Sequence, residues 1–404
     1  MTALGLPKAD RPKEVGLSAK RLARLSATFH EDVERNTIPG AVVLIARGGC
    51  VAYAEAFGWR DREAKAPMEL DAIFRIASMT KPLTSVAAMI LAEEGKLQIA
   101  APVAEYLPEF ADRTVGAERV PAKRVMTVQD LLRHTSGLTY AAFGDSAVQM
   151  IWRDAQPMTE DQTSAEMVTK LASLPLMFEP GTTWEYSMST DVLGRVVEVV
   201  SGRDLADFID ARICRPLHLR DTGFAAAGER AARVAEPQID PATGERPPMR
   251  NVSNPGRWAS GGGGAVSTAG DYARFCQMLL NGGELDGTRI LAPKTVALMA
   301  SDHLPPDCSY GDTARPRFGA LAPVPEMGYG FGLGFAVRTA AGRCPLPGSV
   351  GEYFWGGVLG TSFWIDPAEE LVVVAMMMAP ERRLYYRHLL RPLVYGALVG
   401  PIRD

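Results

Sequence analysis

Residues 352–379 read EYFWGGVLGTSFWIDPAEELVVVAMMMA, and the run that closes this stretch, 371–379, is apolar without interruption. A strand covered on both faces has that character. Ahead of it, two β-rich segments flank Gly360 as a hairpin, and the turn 366–370 is too short for a crossover, so these strands pair antiparallel. A further strand candidate lies around 329–339, and a final helix is expected over about 381–398. Near the other end, AVVLIARGGCVAYAEAFGW (41–59) holds two β-rich runs joined by Gly48-Gly49, a hairpin signal because both glycines accept positive φ. Ser18 can cap a helix running to Arg35, with Leu22, Leu25, Phe29 and Val33 on one face.

Between these ends the pattern is helical: TVQDLLRHTSGL, SAEMVTKLASLPL, STDVLGRVVEVVSG and DLADFIDARIC follow one another with little strand alternation. The stretch 236–264 is rich in Pro, Gly and Asn and reads as a long surface loop, its SGGGG a flexible lead into a helix from Ala269 to Asn281. Residues 301–327 are again rich in Pro and Gly, and loops of this kind border binding sites. The expected fold is α+β: an antiparallel sheet flanked by helices and built from both termini, with an inserted, mostly helical domain. The boundaries read as 1–98 and 236–404 for the discontinuous sheet domain and 99–235 for the helical one, with the active site between them.

The chain of 404 residues is 47% apolar and 22% charged with net charge −4, which offers no electrostatic reason to expect nucleic acid or an anionic membrane as partner. The N-terminal stretch has no apolar segment of secretory type, and no run approaches a membrane span. Five scattered cysteines without a CxxC pair read as reduced thiols, so a cytoplasmic location is expected. His30, His134, His218, His303 and His388 form no HxxxH or HxH pair; neither a metal nor a cofactor is expected.

In RIASMTKPLTSVA (75–87), Ser78 and Lys81 stand at i and i+3, so on a helix their side chains share a face. Pro82 favours a helix beginning close to Ser78. Leu83, Val86, Ala87, Ile90 and Leu91 follow at helical spacing, and the helix is expected to bury that one face. A serine at a helix start is surrounded by free N–H groups, and its own amide can help bind an oxyanion. Its hydroxyl needs a base; a buried lysine can serve, or can hold a second base in its anionic form. By itself SxxK recurs by chance in any long chain.

The ordered set RIASMTKPLTSVAAMILAEEGKLQI, LLRHTSGL, EPGTTWEYSMSTDVLG, ASGGGGAVSTAGDYARF and FWGGVLGTSFWID resembles the serine β-lactamase and penicillin-binding-protein superfamily. Within it the chain is similar to the class C-like branch that includes the family VIII carboxylesterases, over about residues 39–378. The resemblance implies Ser78 as acylated nucleophile, Tyr186 of WEYSM as general base, and Lys81 as the charge that favours the phenolate. It implies an oxyanion hole from the amides of Ser78 and Val358, and a substrate wall at Trp355, Gly356 and Gly357. Two departures stand out. Met188 occupies the place of the motif's asparagine, and Trp355-Gly356-Gly357 stands where penicillin-recognising enzymes carry Lys-Thr-Gly. Both remove polar recognition of a peptide-like or anionic substrate, and an apolar site is expected. His134 matches a structural segment at the edge of the helical domain.

These readings imply a serine carboxylesterase acting on small-molecule, short-chain acyl esters through a Ser78 acyl-enzyme, with acyl transfer and weak β-lactam hydrolysis as neighbouring activities. The alternatives are a β-lactamase or D-amino-acid peptidase, a polyketide-type acyltransferase, or a non-catalytic binding protein on the same fold. No serine has glycines at both −2 and +2, which argues against an α/β-hydrolase.

Overall fold

In the computed structural model of the protein, which describes residues 4–240 and 243–402, the apolar run at Leu371–Met377 is a strand buried at every position. Eight strands form the main sheet: β1 (Gly40–Arg47), β2 (Cys50–Asp61), β3 (Ala66–Pro67), β4 (Tyr329–Phe331), β5 (Ala336–Arg338), β6 (Tyr353–Gly356), β7 (Ser362–Asp366) and β8 (Leu371–Met377). Their order is β4-β5-β6-β7-β8-β1-β2-β3, and every pairing is antiparallel. The two ends of the chain meet at β1 and β8, in register from Ala41↔Met377 to Arg47↔Leu371. Gly48 and Gly49 turn β1 into β2 with φ of 58° and 77°, a conformation that needs glycine.

Helices cover both faces. Helix α1 (Ala19–Glu34) starts at Ser18, whose hydroxyl accepts from the Arg21 amide, and buries Leu22, Leu25 and Phe29. Phe29 stacks 5.0 Å from Phe57, which lies opposite Ala41. On the other face Tyr272 meets Phe363 at 5.1 Å, and Phe363 lies opposite Val374, itself opposite Leu44. Leu44 is three residues from Ala41 and so points the other way. The remaining long helices are α2 (Thr80–Glu93), α3 (Ser189–Ser201), α4 (Ala269–Leu280), which carries Tyr272, and α5 (Arg383–Tyr395). Between α2 and Val266 the described chain adds no strand to the main sheet. No helix among the described residues is long and apolar enough to cross a membrane.

The sequence expectations need three corrections. Helix α2 buries every residue from Thr80 to Leu91, not one face, because α3 packs on the side that periodicity leaves polar; Thr84 there finds the Gly261 carbonyl at 2.9 Å. The strand expected around 329–339 is a hairpin, β4 and β5, broken where Gly334 takes φ 106° with the Ser85 hydroxyl against it. The SGGGG segment is packed rather than loose: Gly261, Gly262 and Gly264 are buried.

One buried polar cluster fixes α5 to the sheet edge. Glu352 is fully buried and meets Arg338 at 3.0 Å and Arg391 at 2.5 Å, while the hydroxyls of Tyr329 and Tyr395 donate to it at 2.9 and 3.0 Å. Glu352→Gln leaves two buried guanidiniums without a countercharge. We expect it to cost about 3 kcal/mol, read as a shifted urea midpoint; a shift under about 1 kcal/mol would make the cluster dispensable.

Candidate active site

A short antiparallel ladder of Phe74–Arg75 with Val266–Ser267 delivers the chain to Ala77, which sits at φ 44°. That left-handed conformation costs an alanine about 1 kcal/mol, and it turns the chain sharply into the 3₁₀ turn Ala77–Met79 that opens α2. Ser78 is the middle residue of this turn, where backbone N–H groups lack helical partners. The end of β6 abuts it. A Cβ on Gly357 would stand 2.4 Å from the Ile76 carbonyl, so only glycine lets the strand approach this closely.

Lys81, one turn along, is buried and has three partners. Its Nζ lies 3.4 Å from Ser78 Oγ, 3.2 Å from Tyr140 Oη and 2.7 Å from the Gly262 carbonyl. The Tyr186 ring lies under the same ammonium, 4.6 Å from Nζ to the ring centre. Trp355 Nε1–H donates to Tyr186 Oη at 3.2 Å, which orients the phenol. Trp355 and Phe318 at 5.1 and 5.5 Å box in the tyrosine ring, and His134 lies behind it at 4.8 Å.

Ser78, Tyr186, Gly356 and Val358 line one cavity of about 330 Å³, with Lys81, Trp355 and Gly357 immediately behind its wall. All the residues singled out from the sequence therefore converge. The segments 140–180, 236–264 and 301–327 supply much of the remaining wall through Ala142, Phe143, Met158, Ser260, Gly263 and Phe318.

Sequence reasoning missed three contributors. Tyr140, in LTYAAF, carries a hydroxyl that burial, with Asp191 and Tyr186 nearby, raises far above the ordinary phenol range, so it stays neutral. Asp191 is buried, and burial raises its carboxyl while the Lys81 charge opposes the rise. Its Oδ1 accepts from Ser260 Oγ at 2.5 Å and from the Gly262 amide at 3.0 Å. That grip aims the Gly262 carbonyl at Lys81. The signal that could have found Asp191 was a carboxylate in the first turn of a helix, directly ahead of the apolar pair Val192-Leu193. His134 is buried, with its ring 5.4 Å from that of Phe331 on β4. Burial and then Lys81 push its imidazole well below the usual range, and its Nδ1 accepts from the Ser187 amide at 3.3 Å. It is therefore a neutral support for the Tyr186 ring.

The cavity is largely apolar, as expected, but its lining also carries charge that the sequence reading did not find. Arg317, Arg383 and Arg387 line the cavity, and they are its only charged lining residues among the described ones. They come from the loop at 301–327 and from α5, both distant in sequence from the departures at Met188 and Trp355.

Chemically, the cluster offers a hydroxyl nucleophile, an adjacent cation, a hydrogen-bonded phenol and free amides around a largely apolar cavity. A model of the Beta-lactamase family matches residues 25–389. The chain belongs to this family. Protein Rv1367c of Mycobacterium tuberculosis is 35% identical over 87% of this chain and 88% of its own. Esterase EstB of Burkholderia gladioli is 33% identical over 93% of this chain and 94% of its own. Among solved structures, EstCE1, described as a hydrolase with promiscuous acyltransferase activity, superposes with a TM-score of 0.78 at 30% identity, covering 93% of this chain and 99% of that one.

Proposed function

We propose that this Beta-lactamase family member is a serine carboxylesterase of the family VIII type, working through a Ser78 acyl-enzyme. The observation that carries the reading is the cluster in which Lys81 Nζ stands 3.4 Å from Ser78 Oγ and 4.6 Å from the Tyr186 ring centre, at the wall of an ester-sized cavity. Ser78 Oγ attacks the ester carbonyl as Tyr186 takes its proton. The amides of Ser78 and Val358 hold the oxyanion, and the proton passes to the departing alcohol. Water then attacks the acyl-enzyme by the reverse path and releases the acid. In this reading Lys81 supports the phenol, with its Nζ anchored by donating to the Gly262 carbonyl at 2.7 Å between the Ser78 and Tyr140 hydroxyls. The phenol held by Trp355 is then the group left to act as base.

EstB and EstCE1 support ester hydrolysis, and EstCE1 supports acyl transfer beside it. Against β-lactamase or peptidase action stand Met188 and Trp355 in place of an amide and a cation. The small cavity suits short acyl groups, between the discontinuous sheet domain (1–98, 236–404) and the helical domain (99–235). The five free cysteines support a cytoplasmic setting. The test is a 4-nitrophenyl ester series graded by acyl length, with a cephalosporin included, followed by mass analysis after a fluorophosphonate. Butyrate should exceed laurate and the label should sit on Ser78; a label elsewhere, or turnover of the cephalosporin alone, would refute the esterase.

Trp355→Phe keeps the aromatic packing and removes the hydrogen bond to Tyr186. We expect kcat/KM for the butyrate ester to fall about tenfold with the melting temperature little changed. An unchanged kcat/KM would show that this N–H does not orient the base.

A further inference from the structure

The chain's net charge is −4, yet the three charged residues lining its cavity are all arginines. Elsewhere most guanidiniums in this protein find a carboxylate, as Arg75 does on Glu236 and Arg246 on Asp61. These three do not, among the described residues. Arg317 lies on the Phe143 ring at 3.3 Å and reaches only the Ala142 carbonyl, at 3.4 Å. Arg383 donates to the Pro380 carbonyl at 2.8 Å. Arg387 donates to the carbonyls of Gly357 and Thr361, and its Nε has no partner.

The three also work against one another. Burial lowers both Arg317 and Arg387, bringing Arg387 down to about 10, and the charge of Arg383 lowers both further. The carboxyl whose field reaches Arg317 is Glu185, which burial pushes up to about 7, so at neutral pH it supplies only part of a negative charge. Converging like charges are destabilising; the field of the Tyr186 oxygen offsets part of the charge on Arg317 and Arg387, and a ligand anion would supply the rest. Nor is the arrangement incidental to the glycine motif. A Cβ on Gly356 would stand 2.6 Å from the Arg387 guanidinium carbon, so glycine at this position is what gives Arg387 its place against the end of β6. The strand has an indole where related enzymes have a lysine, and the charge returns to the same cavity from α5.

Resting on the esterase reading above, the geometry points to a substrate that carries an anionic group: a carboxylic ester with a free carboxylate a few bonds from the scissile carbonyl, held by Arg317, Arg383 and Arg387. The apolar wall around Phe143, Phe318 and Val358 takes the hydrocarbon between the two groups, and guanidiniums suit a planar carboxylate.

Two matched ester pairs test this and locate the charge. Mono-4-nitrophenyl glutarate against 4-nitrophenyl valerate places it on the acyl part, and 4-acetoxybenzoate against its methyl ester places it on the alcohol part. We expect the charged member of at least one pair to have the higher kcat/KM by about tenfold, mostly through KM. That preference should shrink about tenfold in Arg317→Gln/Arg383→Gln and also for the wild type in about 0.5 M NaCl, while the exposed Arg382→Gln retains it. The salt arm keeps the test valid if the double variant folds poorly. Hydrolysis of all four esters with no preference for charge, or a preference indifferent to both salt and variant, overturns the anion site and leaves the esterase standing. If no ester turns over, the esterase reading fails and glutarate calorimetry decides this one: binding abolished in the double variant upholds the site, and no binding to wild type overturns it.

Discussion

Ser78→Ala lowers kcat/KM for 4-nitrophenyl butyrate by at least about 10⁴-fold. Covalent catalysis fails outright when the nucleophile is removed, and what survives is binding together with the oxyanion amides. The amides themselves are unaffected, because alanine fits the turn at Ala77–Met79 and, among the described residues, the Ser78 hydroxyl makes no bond other than that from Lys81. The melting temperature should therefore stay within about 2 °C of wild type. Loss of activity with loss of fold would leave the role of the hydroxyl open to a stability explanation, so circular dichroism and the fluorophosphonate label are measured together. Residual activity above about a hundredth of wild type would rule out Ser78 as the nucleophile.

The second large effect is expected at Tyr186. Tyr186→Phe keeps the ring between His134, Phe318 and Trp355 and deletes only the oxygen, so the loss belongs to proton transfer rather than to packing. A positioned general base is worth about 10² to 10⁴ in rate, and kcat should fall by about 10³ with KM little altered. Tyr140→Phe is the comparison that separates two phenols near one lysine. Tyr140 Oη accepts from Lys81 at 3.2 Å and is held neutral by burial, so it steadies the ammonium without taking a proton. Its removal should cost about tenfold. If Tyr140→Phe proved the more damaging of the two, the base would have to be reassigned to Tyr140.

Much of this was readable before any coordinates. The apolar run at 371–379, the Gly48-Gly49 hairpin and the Ser18 cap each follow from forces acting over a few residues, and each forms as the sequence predicts. Ser78 and Lys81 lie one turn apart on the same short segment, so helical geometry alone brings them within reach. The errors have a common origin. Periodicity describes one face of α2 as polar, but it cannot say that α3 and the Gly261 carbonyl will cover that face. Composition describes SGGGG as flexible, but it cannot say that the Asp191 carboxyl will grip the Gly262 amide.

The sequence by itself determined the antiparallel strands of both termini, the helical stretch between them and the pairing of a serine with a lysine, because all of these are written in local spacing. Only the tertiary structure decided what surrounds that pair. The Gly262 carbonyl that holds Lys81 lies 181 residues away, and the indole that orients Tyr186 lies 169 residues away. The arginines that make the cavity cationic come from two further segments. Such contacts depend on how the elements pack against one another, and no short-range pattern in the chain records that packing.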